Sequence, residues 1–179
     1  MQRLLVAGLI AASIAQLQAS TLLQLSLDDM IRKSSSIVRG KAQRTYTALH
    51  GTMIYSHYQI QVSEVLKGTA GSQIDLYVPG GIANGVRQTY AGAPDLAAGQ
   101  DYVIFLWTSK SGVTQVIGLS QGLFGITTSA AGQQMVVRAA STERILNSSG
   151  QPVVDSDIQM LLSDLRARIK QVLSGKVGP

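Results

Sequence analysis

The stretch 58–68 constrains the fold of this chain more than any other. Apolar and polar residues alternate over its first six positions, in the order Tyr58, Gln59, Ile60, Gln61, Val62 and Ser63. A period of two is typical of a β-strand with one face in a core and the other in solvent. At Glu64 the alternation stops, and a bulge there is expected to turn both Val65 and Leu66 toward the core. One strand cannot bury its own apolar face, so other segments must cover it.

The sequence predicts about six or seven strands in all. Seven segments have the pattern, 37–46, 53–66, 73–78, 102–107, 113–119, 123–128 and 133–138, and 86–90 is a candidate for a further short strand. Gly40 inside the first of them predicts a bend or bulge of the kind that closes small barrels. The run 102–107 is apolar throughout and indicates a strand that is buried on both faces. It ends at Trp107, which we expect in the core or at its rim.

Two helices are predicted, one near each end of the chain. Ser26 is a suitable N-cap for a short helix over Leu27–Lys33, whose first turn carries two acidic residues that the helix dipole favours. Seven aliphatic residues recur at helical spacing between Ile158 and Leu173. They predict an amphipathic helix of roughly 18 residues, about 27 Å long, that packs on the strands. This order predicts a mainly β fold, a small closed OB-like antiparallel barrel with both helices beside it.

The first 19 residues have the features of a secretory signal peptide. Arg3 supplies the positive charge, residues 4–15 the short apolar run, and Ala19 the small residue before the cleavage site. The run is shorter than the roughly 20 apolar residues that a spanning helix needs. We therefore predict cleavage after Ala19, a secreted or periplasmic location, and no membrane span in the remainder. Residues 20–175 then form a single domain.

The composition excludes several kinds of site. The 179 residues include no cysteine, which excludes disulfides, thiolate metal sites and cysteine nucleophiles. The formal net charge is +5, but the positive residues are scattered and do not form the basic patch of a nucleic-acid-binding protein. No Gly-x-Ser-x-Gly motif with a matched His and Asp is present. The sequence therefore predicts a protein that is not an enzyme, has no cofactor and binds no nucleic acid.

Three groups of residues have both a functional and a structural interpretation. His50 and His57 could approach across a turn to bind a metal, but no neighbouring Asp, Glu or Cys completes a site, so we expect exposed turn histidines. The glycine-rich stretch 80–85 lacks the Gly-Lys-Ser/Thr ending of a phosphate loop and is predicted to be a flexible loop. The third group contains tyrosines and basic residues that could form a stacking face for single-stranded nucleic acid. We prefer the structural interpretation, in which these side chains pack within the strands. These are Lys41, Arg44, Tyr46, Tyr55, Tyr58 and Tyr77.

Three stretches of the chain carry a resemblance to a known family. They are SIVRGK at 36–41, the strand 58–68 with its ending EVLKG, and LAAGQDYVI at 96–104. In order and spacing they are similar to the first strand, the second strand and the entry to the fourth strand of the netrin-like (NTR) domain. The closest likeness is to the inhibitory domain of tissue inhibitors of metalloproteinases. The resemblance covers roughly residues 20–125 and implies an OB-type barrel flanked by terminal helices.

The same resemblance implies a role for the mature amino terminus. In the inhibitor family the terminus lies a fixed short distance before the first strand, and counting back from Arg39 places it on Ser20. The Ser20 α-amine and carbonyl would then bind the zinc of a secreted metalloprotease, and Thr21 would enter its specificity pocket, followed by Leu22 and Leu23. An unperturbed α-amine has a pKa of about 7.7–8.0, so its ligating form is accessible near neutral pH. The anchoring disulfides of the family are absent, and Ser20 replaces one of its cysteines.

The predicted function is therefore that of a protein-binding module with no metal of its own. A structural or adhesion domain of the periplasm or cell surface is the alternative, and its contact face would be the glycine loop. The residues concerned are Gly80, Gly81, Asn84 and Gly85. A carrier of a small molecule inside the barrel is a third alternative, which the bulky run 102–107 disfavours because it would fill the cavity.

Overall fold

The computed structural model describes residues 21–175, apart from the side chains of Arg44 and Thr45. Its elements are, in order, β1 (Thr21–Leu23), α1 (Leu27–Lys33), β2 (Ser36–His50), β3 (Met53–Lys67), β4 (Gln73–Pro79), β5 (Gly81–Ala83), β6 (Val86–Gln88), β7 (Asp101–Thr108), β8 (Thr114–Val116), a 3-10 turn (Leu119–Gly122), β9 (Leu123–Thr128), β10 (Gln134–Arg138), β11 (Arg144–Leu146), β12 (Pro152–Val153), β13 (Ile158–Leu161) and α2 (Leu162–Leu173). Strands predominate, and the prediction of a mainly β fold is confirmed.

The largest sheet has eight strands. Seven of them follow one path in the order β13-β10-β9-β7-β2-β3-β4, and β8 pairs with the end of β7. The strand β4 lies close to β8. Within residues 21–175, however, no hydrogen-bonded register joins these two strands, so the path of paired strands is open there. A mainly antiparallel β fold is thus established, whereas the predicted closure into a barrel is not.

Bulges curve the long hairpin of β2 and β3. Its register shifts at three points, one of them between Arg39 and Gly40. A Cβ atom on Gly40 would lie 2.5 Å from the carbonyl oxygen of Gln61 and 2.8 Å from Cγ2 of Ile60. Only glycine fits this close approach of two strands, so the predicted bend at Gly40 is confirmed.

The predicted bulge after Glu64 is present, but it turns only one residue inward. Ile37 pairs with Lys67 and Val38 with Val65, which leaves Leu66 without a partner in the register. Leu66 packs against the core, whereas Val65 is exposed. The prediction for Val65 was wrong, since a bulge of one extra residue redirects one side chain and not two.

Two hydrophobic cores lie on opposite faces of the sheet. The first fills the space between the sheet and both helices, and includes Met30, Ile31, Ile37, Val103, Phe105, Phe124, Val136, Leu162, Leu165 and Ile169. The second lies where β2, β3 and β4 curve toward β7 and β8, and includes Val38, Tyr58, Ile60, Leu76, Val78, Ile104, Leu106 and Val116. Alternate side chains of β7 enter both cores, so this strand is buried on both faces as predicted.

The carboxy-terminal helix is shorter than predicted. It spans Leu162–Leu173, and the preceding Ile158–Leu161 form β13, which pairs with β10. The sequence pattern of a short apolar segment is compatible with both a strand and a helix. Here the hydrogen-bonded pairing with β10 makes the segment a strand. The expected docking on the sheet is confirmed by four buried side chains, Leu162, Leu165, Ile169 and Val172.

Two arginines fasten α2 to the elements beneath it. Arg166 donates from Nε and Nη2 to the carboxylate of Glu64 at 3.0 and 2.6 Å. Arg168 donates in the same two-bond manner to Asp28 at 2.8 and 2.7 Å. These bonds fix the helix across β3 and α1.

Neither helix of residues 21–175 has the length and apolarity that crossing a bilayer requires.

A lysine from β3 caps the end of α1, which has the predicted bounds and N-cap. The Nζ atom of Lys67 donates to the carbonyl oxygens of Ile31, Arg32 and Ser34. Carbonyl groups in the last turn of a helix have no partner within the helix, so the ammonium group satisfies them. Burial lowers the pKa of Lys67.

Lys67→Met is expected to lower the free energy of unfolding by about 2–3 kcal/mol, because a hydrogen bond to a charged group contributes about 1.5–3 kcal/mol. Urea denaturation followed by circular dichroism measures the loss. Lys33→Met is the matched control, since Lys33 lies on the same helix and makes an exposed 3.5 Å ion pair with Asp29 that contributes about 0–1 kcal/mol. Equal losses in the two variants would contradict the capping role of Lys67.

Candidate functional site

The described chain begins with an edge strand. β1 pairs in parallel with β11, with Thr21 opposite Arg144 and Leu23 opposite Leu146. The N–H of Gln24 extends this pairing to the Leu146 carbonyl oxygen at 2.8 Å. β12 occupies the other side of β11, so β1 is an outer strand of this three-stranded sheet. Ser20, the predicted zinc-binding residue, lies outside the described residues.

A buried glutamine from the 3-10 turn anchors β1. The Oε1 atom of Gln121 accepts from the N–H of Leu25 at 2.9 Å, and its Nε2 donates to the carbonyl oxygens of Leu23 at 3.0 Å and Gly118 at 3.3 Å. Both ends of the amide are therefore bonded to backbone on either side of Gln24. Together with the pairing to β11, this fixes the segment without a disulfide. The sequence does not predict this role, because nothing around Gln121 distinguishes it from other polar turn residues.

The four predicted contact residues have different environments. Thr21 is exposed, and Leu23 is 56% exposed. Leu22 is half-buried under the loop at Gly92, where a Cβ atom would lie 3.2 Å from Leu22 Cδ1. Gly92 also has a φ of +75°, so both its conformation and its surroundings favour glycine. Within β1, Thr21 and Leu23 are thus the residues that a partner could contact.

An apolar groove of about 550 Å³ lies beside β1. Its lining comprises Leu23, Leu25, Lys33, Trp107, Gln115, Val116, Ile117, Gly118 and Leu119. Trp107, at the end of β7, is 45% exposed and so lies at the rim of the sheet. Large apolar side chains exposed together on one surface mark places where proteins contact other molecules. We call Thr21, Leu23 and this groove the amino-terminal face.

The alternative glycine site is an ordered hairpin rather than the predicted flexible loop. Gly80 is buried, and its N–H donates to the Ile54 carbonyl oxygen at 2.8 Å. A Cβ atom on Gly81 would lie 2.8 Å from side-chain atoms of the β2–β3 hairpin. Asn84 and Gly85 form the tight turn between β5 and β6 with φ values of 50° and 76°, as in Asn-Gly hairpin turns. Of the four residues named from the sequence, these two are exposed at the surface.

A cluster of rings occupies the other face of the β2–β3 tip. Tyr46, His57 and Tyr77 lie directly opposite one another on β2, β3 and β4. The ring of His57 lies between the two tyrosines, with centroid distances of 4.3 Å to Tyr46 and 4.2 Å to Tyr77. His50 stacks 5.5 Å from His57, and Tyr55 packs edge-on 5.9 Å from both His50 and Tyr77. We call these five rings the tyrosine face.

His57 is buried, with 2% of its surface exposed, so the prediction of exposed turn histidines was wrong for this residue. Rings from both neighbouring strands cover it, whereas His50 is exposed as expected. Nδ1 of His57 lies 3.1 and 3.0 Å from the two carboxylate oxygens of Asp75. Its Nε2 is buried and has no hydrogen-bond partner in the described structure. Residues 21–175 contain no group of three or more His, Cys, Asp or Glu placed to hold a metal ion.

The tyrosines considered from the sequence divide between two faces. Tyr46, Tyr55 and Tyr77 belong to the tyrosine face, whereas Tyr58 points into the second core. The hydroxyl of Tyr58 donates to Asp95 at 3.3 Å. Burial, with the nearby Asp95 charge, raises the pKa of Tyr58. This division follows from strand alternation, since Tyr58 and His57 are neighbours in sequence.

A buried ion pair supports the loops near Gly92. Arg138 donates from Nη1 and Nη2 to Asp155 at 2.7 and 3.0 Å, and both side chains are 8% exposed. The N–H of Ser141 donates to the same carboxylate at 2.8 Å. Burial acts to raise the pKa of Asp155, but the hydrogen bonds from Arg138 and Ser141 outweigh it, so the pKa lies below its ordinary value. The pair positions one wall of a cleft of about 440 Å³.

Comparison of the chain with protein-family models, with curated proteins and with solved structures gives no match. Function must therefore be inferred from the surfaces described above. The amino-terminal face combines an anchored edge strand with exposed apolar side chains. It also contains Thr21 and Leu23, two of the residues that the sequence predicted for partner contact.

Proposed function

We propose that this protein is an exported, non-enzymatic binding module that contacts a protein partner through its amino-terminal face. The observation that carries the proposal is the anchoring of β1 by Gln121, which holds Thr21 at a sheet edge and Leu23 at the apolar groove. An edge strand can bond a partner's backbone, and exposed aromatic and aliphatic side chains such as Trp107 supply apolar contact. The face therefore has both elements of a protein-recognition surface.

We also infer that β2, β3, β4, β8 and β7 form a five-stranded, partly open OB-like barrel. The second core is enclosed by these strands, and β4 lies close to β8 although no register joins them. A cleft of about 360 Å³, with Ile74 on one side and Thr114 on the other, lies between these two strands. Five-stranded OB barrels are often open at one seam. This arrangement supports the resemblance to the netrin-like domain.

The resemblance to tissue inhibitors of metalloproteinases suggests a partner, a secreted zinc metalloprotease. In a chain that begins at Ser20, the α-amine would be the zinc ligand, and Thr21 would be the first side chain in the specificity pocket. An anchored segment loses less conformational entropy on binding than a mobile one, so affinity is higher. Gln121 and β11 would then do what disulfides do in the inhibitor family.

Blocking the amino terminus tests this proposal. Protein that begins at Ser20 is compared with protein that carries one additional alanine, and with Nα-acetylated protein, in inhibition assays on a panel of zinc endopeptidases. We expect inhibition by the first form and a loss of at least about a hundredfold, roughly 2.8 kcal/mol, in the other two. The reason is that the added groups displace or cap the amine that would bind zinc.

Equal urea midpoints for the three forms would show that the fold is unchanged. Undiminished inhibition by the acetylated form would contradict the zinc-ligand role of Ser20. Partner binding that survives blocking of the terminus but is lost in Trp107→Ala would support a binding module at this face. It would contradict the proposal that the partner is a metalloprotease. Binding that depends instead on the exposed turn at Asn84 would favour the adhesion alternative.

A further inference from the structure

We propose that the tyrosine face and the cleft beside it form a binding site for a neutral saccharide. The five rings of this face are Tyr46, His50, Tyr55, His57 and Tyr77. The tyrosine face lies near the β2–β3 tip and the cleft lies between β4 and β8, and neither shares a residue with the amino-terminal face. The site is therefore independent of the proposed protein-binding function, and each can fail without the other.

The rings offer a rigid aromatic surface of the kind that packs on the C–H faces of sugar rings. Tyr46 is 44% exposed and His50 is exposed, while Tyr55 and Tyr77 are half-buried. Mutual packing at centroid distances between 4.2 and 5.9 Å holds the rings in place. A ligand that stacks on them would therefore order few side chains on binding, and the entropic cost would be small.

Polar groups suited to sugar hydroxyls adjoin the rings. The carboxylate of Asp75 accepts from the Tyr46 hydroxyl at 3.1 Å and bonds His57, yet it remains partly exposed. From Asp75 and Tyr77 a cleft of about 360 Å³ continues toward β8. Its polar lining consists of Ser36, Thr69, Gln73, Asp75, Tyr77, Thr108 and Thr114. Hydroxyl, amide and carboxylate groups can pair with a sugar hydroxyl as donor, acceptor or both.

The charge of the cleft favours a neutral ligand. Among the side chains that the structure describes, Asp75 is the one charged residue that lines it, and no lysine or arginine of that described set does. A phosphate or carboxylate group bound there would have no counter-charge from these residues, whereas nucleic-acid sites depend on basic side chains. A neutral saccharide satisfies both the aromatic surface and the hydroxyl-rich cleft.

His57 supplies one further hydrogen-bonding position. Because the Asp75 carboxylate accepts from Nδ1–H, Nε2 is the second hydrogen-bonding atom of the ring. This buried nitrogen has no partner in the described part of the chain, and such groups are costly to leave unpaired. His50 is exposed at the end of β2 and stacks on His57. A saccharide hydroxyl that reaches Nε2 would complete its hydrogen bonding.

Titration with neutral hexasaccharides tests the site. Cellohexaose, xylohexaose, maltohexaose and chitohexaose are added separately to the protein, with binding measured by calorimetry and by the NMR signals of the histidine rings. We expect at least one of them to bind and to shift the Hε1 signal of His57. Tyr46→Ala should weaken that binding about tenfold, in line with the loss of one aromatic contact.

Tyr90→Ala is the matched control, because Tyr90 is 40% exposed and lies outside the tyrosine face. It should bind like the unmodified protein, and circular dichroism should show that both variants fold. Failure of all four saccharides to bind, or equal weakening by the two substitutions, would overturn the proposal. Stronger binding of an oligodeoxythymidylate than of any saccharide would also overturn it and would favour a nucleic-acid ligand.

Discussion

Asp155→Ala is expected to lower the free energy of unfolding by about 3–5 kcal/mol, because it leaves a buried arginine without its counter-charge. The guanidinium of Arg138 would lose two hydrogen bonds at 2.7 and 3.0 Å, and its Nε is already without a partner among the described residues. The N–H of Ser141 would lose its acceptor as well. Urea denaturation followed by circular dichroism measures the change.

Asp157→Ala is a matched control two residues along the chain. Asp157 is exposed, and its carboxylate accepts one hydrogen bond, from the N–H of Ala140 at 2.7 Å. Its removal should cost about 0.5–1.5 kcal/mol. The double variant Arg138→Met with Asp155→Leu should recover much of the loss, since no charge then remains buried. A double variant as unstable as Asp155→Ala would contradict the attribution to an unpaired charge.

The pH dependence of stability gives an independent measure of the same pair. The pKa of Asp155 is lower in the folded protein than its ordinary value of 3.8, so the folded state holds this proton less tightly than the unfolded state. The stabilisation is therefore complete above pH 3.8 and is lost as the pH falls through the folded pKa. Below pH 3.8 the unmodified protein should lose stability more steeply than the double variant.

The elements of this fold that could be predicted have signals within a few residues of sequence. The alternation around Ile60 and the N-cap at Ser26 are of this kind, and both are confirmed. The boundary between β13 and α2 was missed because pairing with β10 determines it, and the apolar spacing of Ile158–Leu161 fits strand and helix equally. A local pattern thus identifies an element where the spacing fits one type alone, and fails where strand and helix fit equally.

The sites were harder to predict, because their partners are distant in the chain. His57 donates a hydrogen bond to Asp75, 18 residues away, and the rings of the tyrosine face come from three strands. Gln121 bonds Leu25 across 96 positions. Neither pair has a spacing that sequence periodicity could reveal, since strand order and the path of loops bring them together. A partner contact at Thr21 could be proposed from the sequence, whereas the anchoring of its strand could not.

Gln121→Met is expected to lower the free energy of unfolding by about 1–3 kcal/mol, because it removes the hydrogen bonds of two partly buried backbone groups at about 0.5–1.5 kcal/mol each. The groups are the N–H of Leu25 and the carbonyl oxygen of Leu23. Methionine has nearly the same length and volume, so the loss reports the hydrogen bonds and not a cavity. Amide hydrogen exchange at Leu25, followed by NMR, should become faster, since β1 would then be held by β11 alone.

The same substitution separates two explanations of partner binding. Gln121→Met does not change the contact residues Thr21, Leu23 and Trp107. It loosens β1, which carries Thr21 and Leu23, and so alters the preorganisation of the face and not its contacts. We expect it to weaken binding of the partner at least about tenfold, because ordering a released segment consumes binding free energy. Gln115→Met, the same change at a half-buried position in the groove, should shift stability by no more than about 0.5 kcal/mol. Unchanged affinity in Gln121→Met, despite faster exchange at Leu25, would show that the partner does not depend on an anchored terminus.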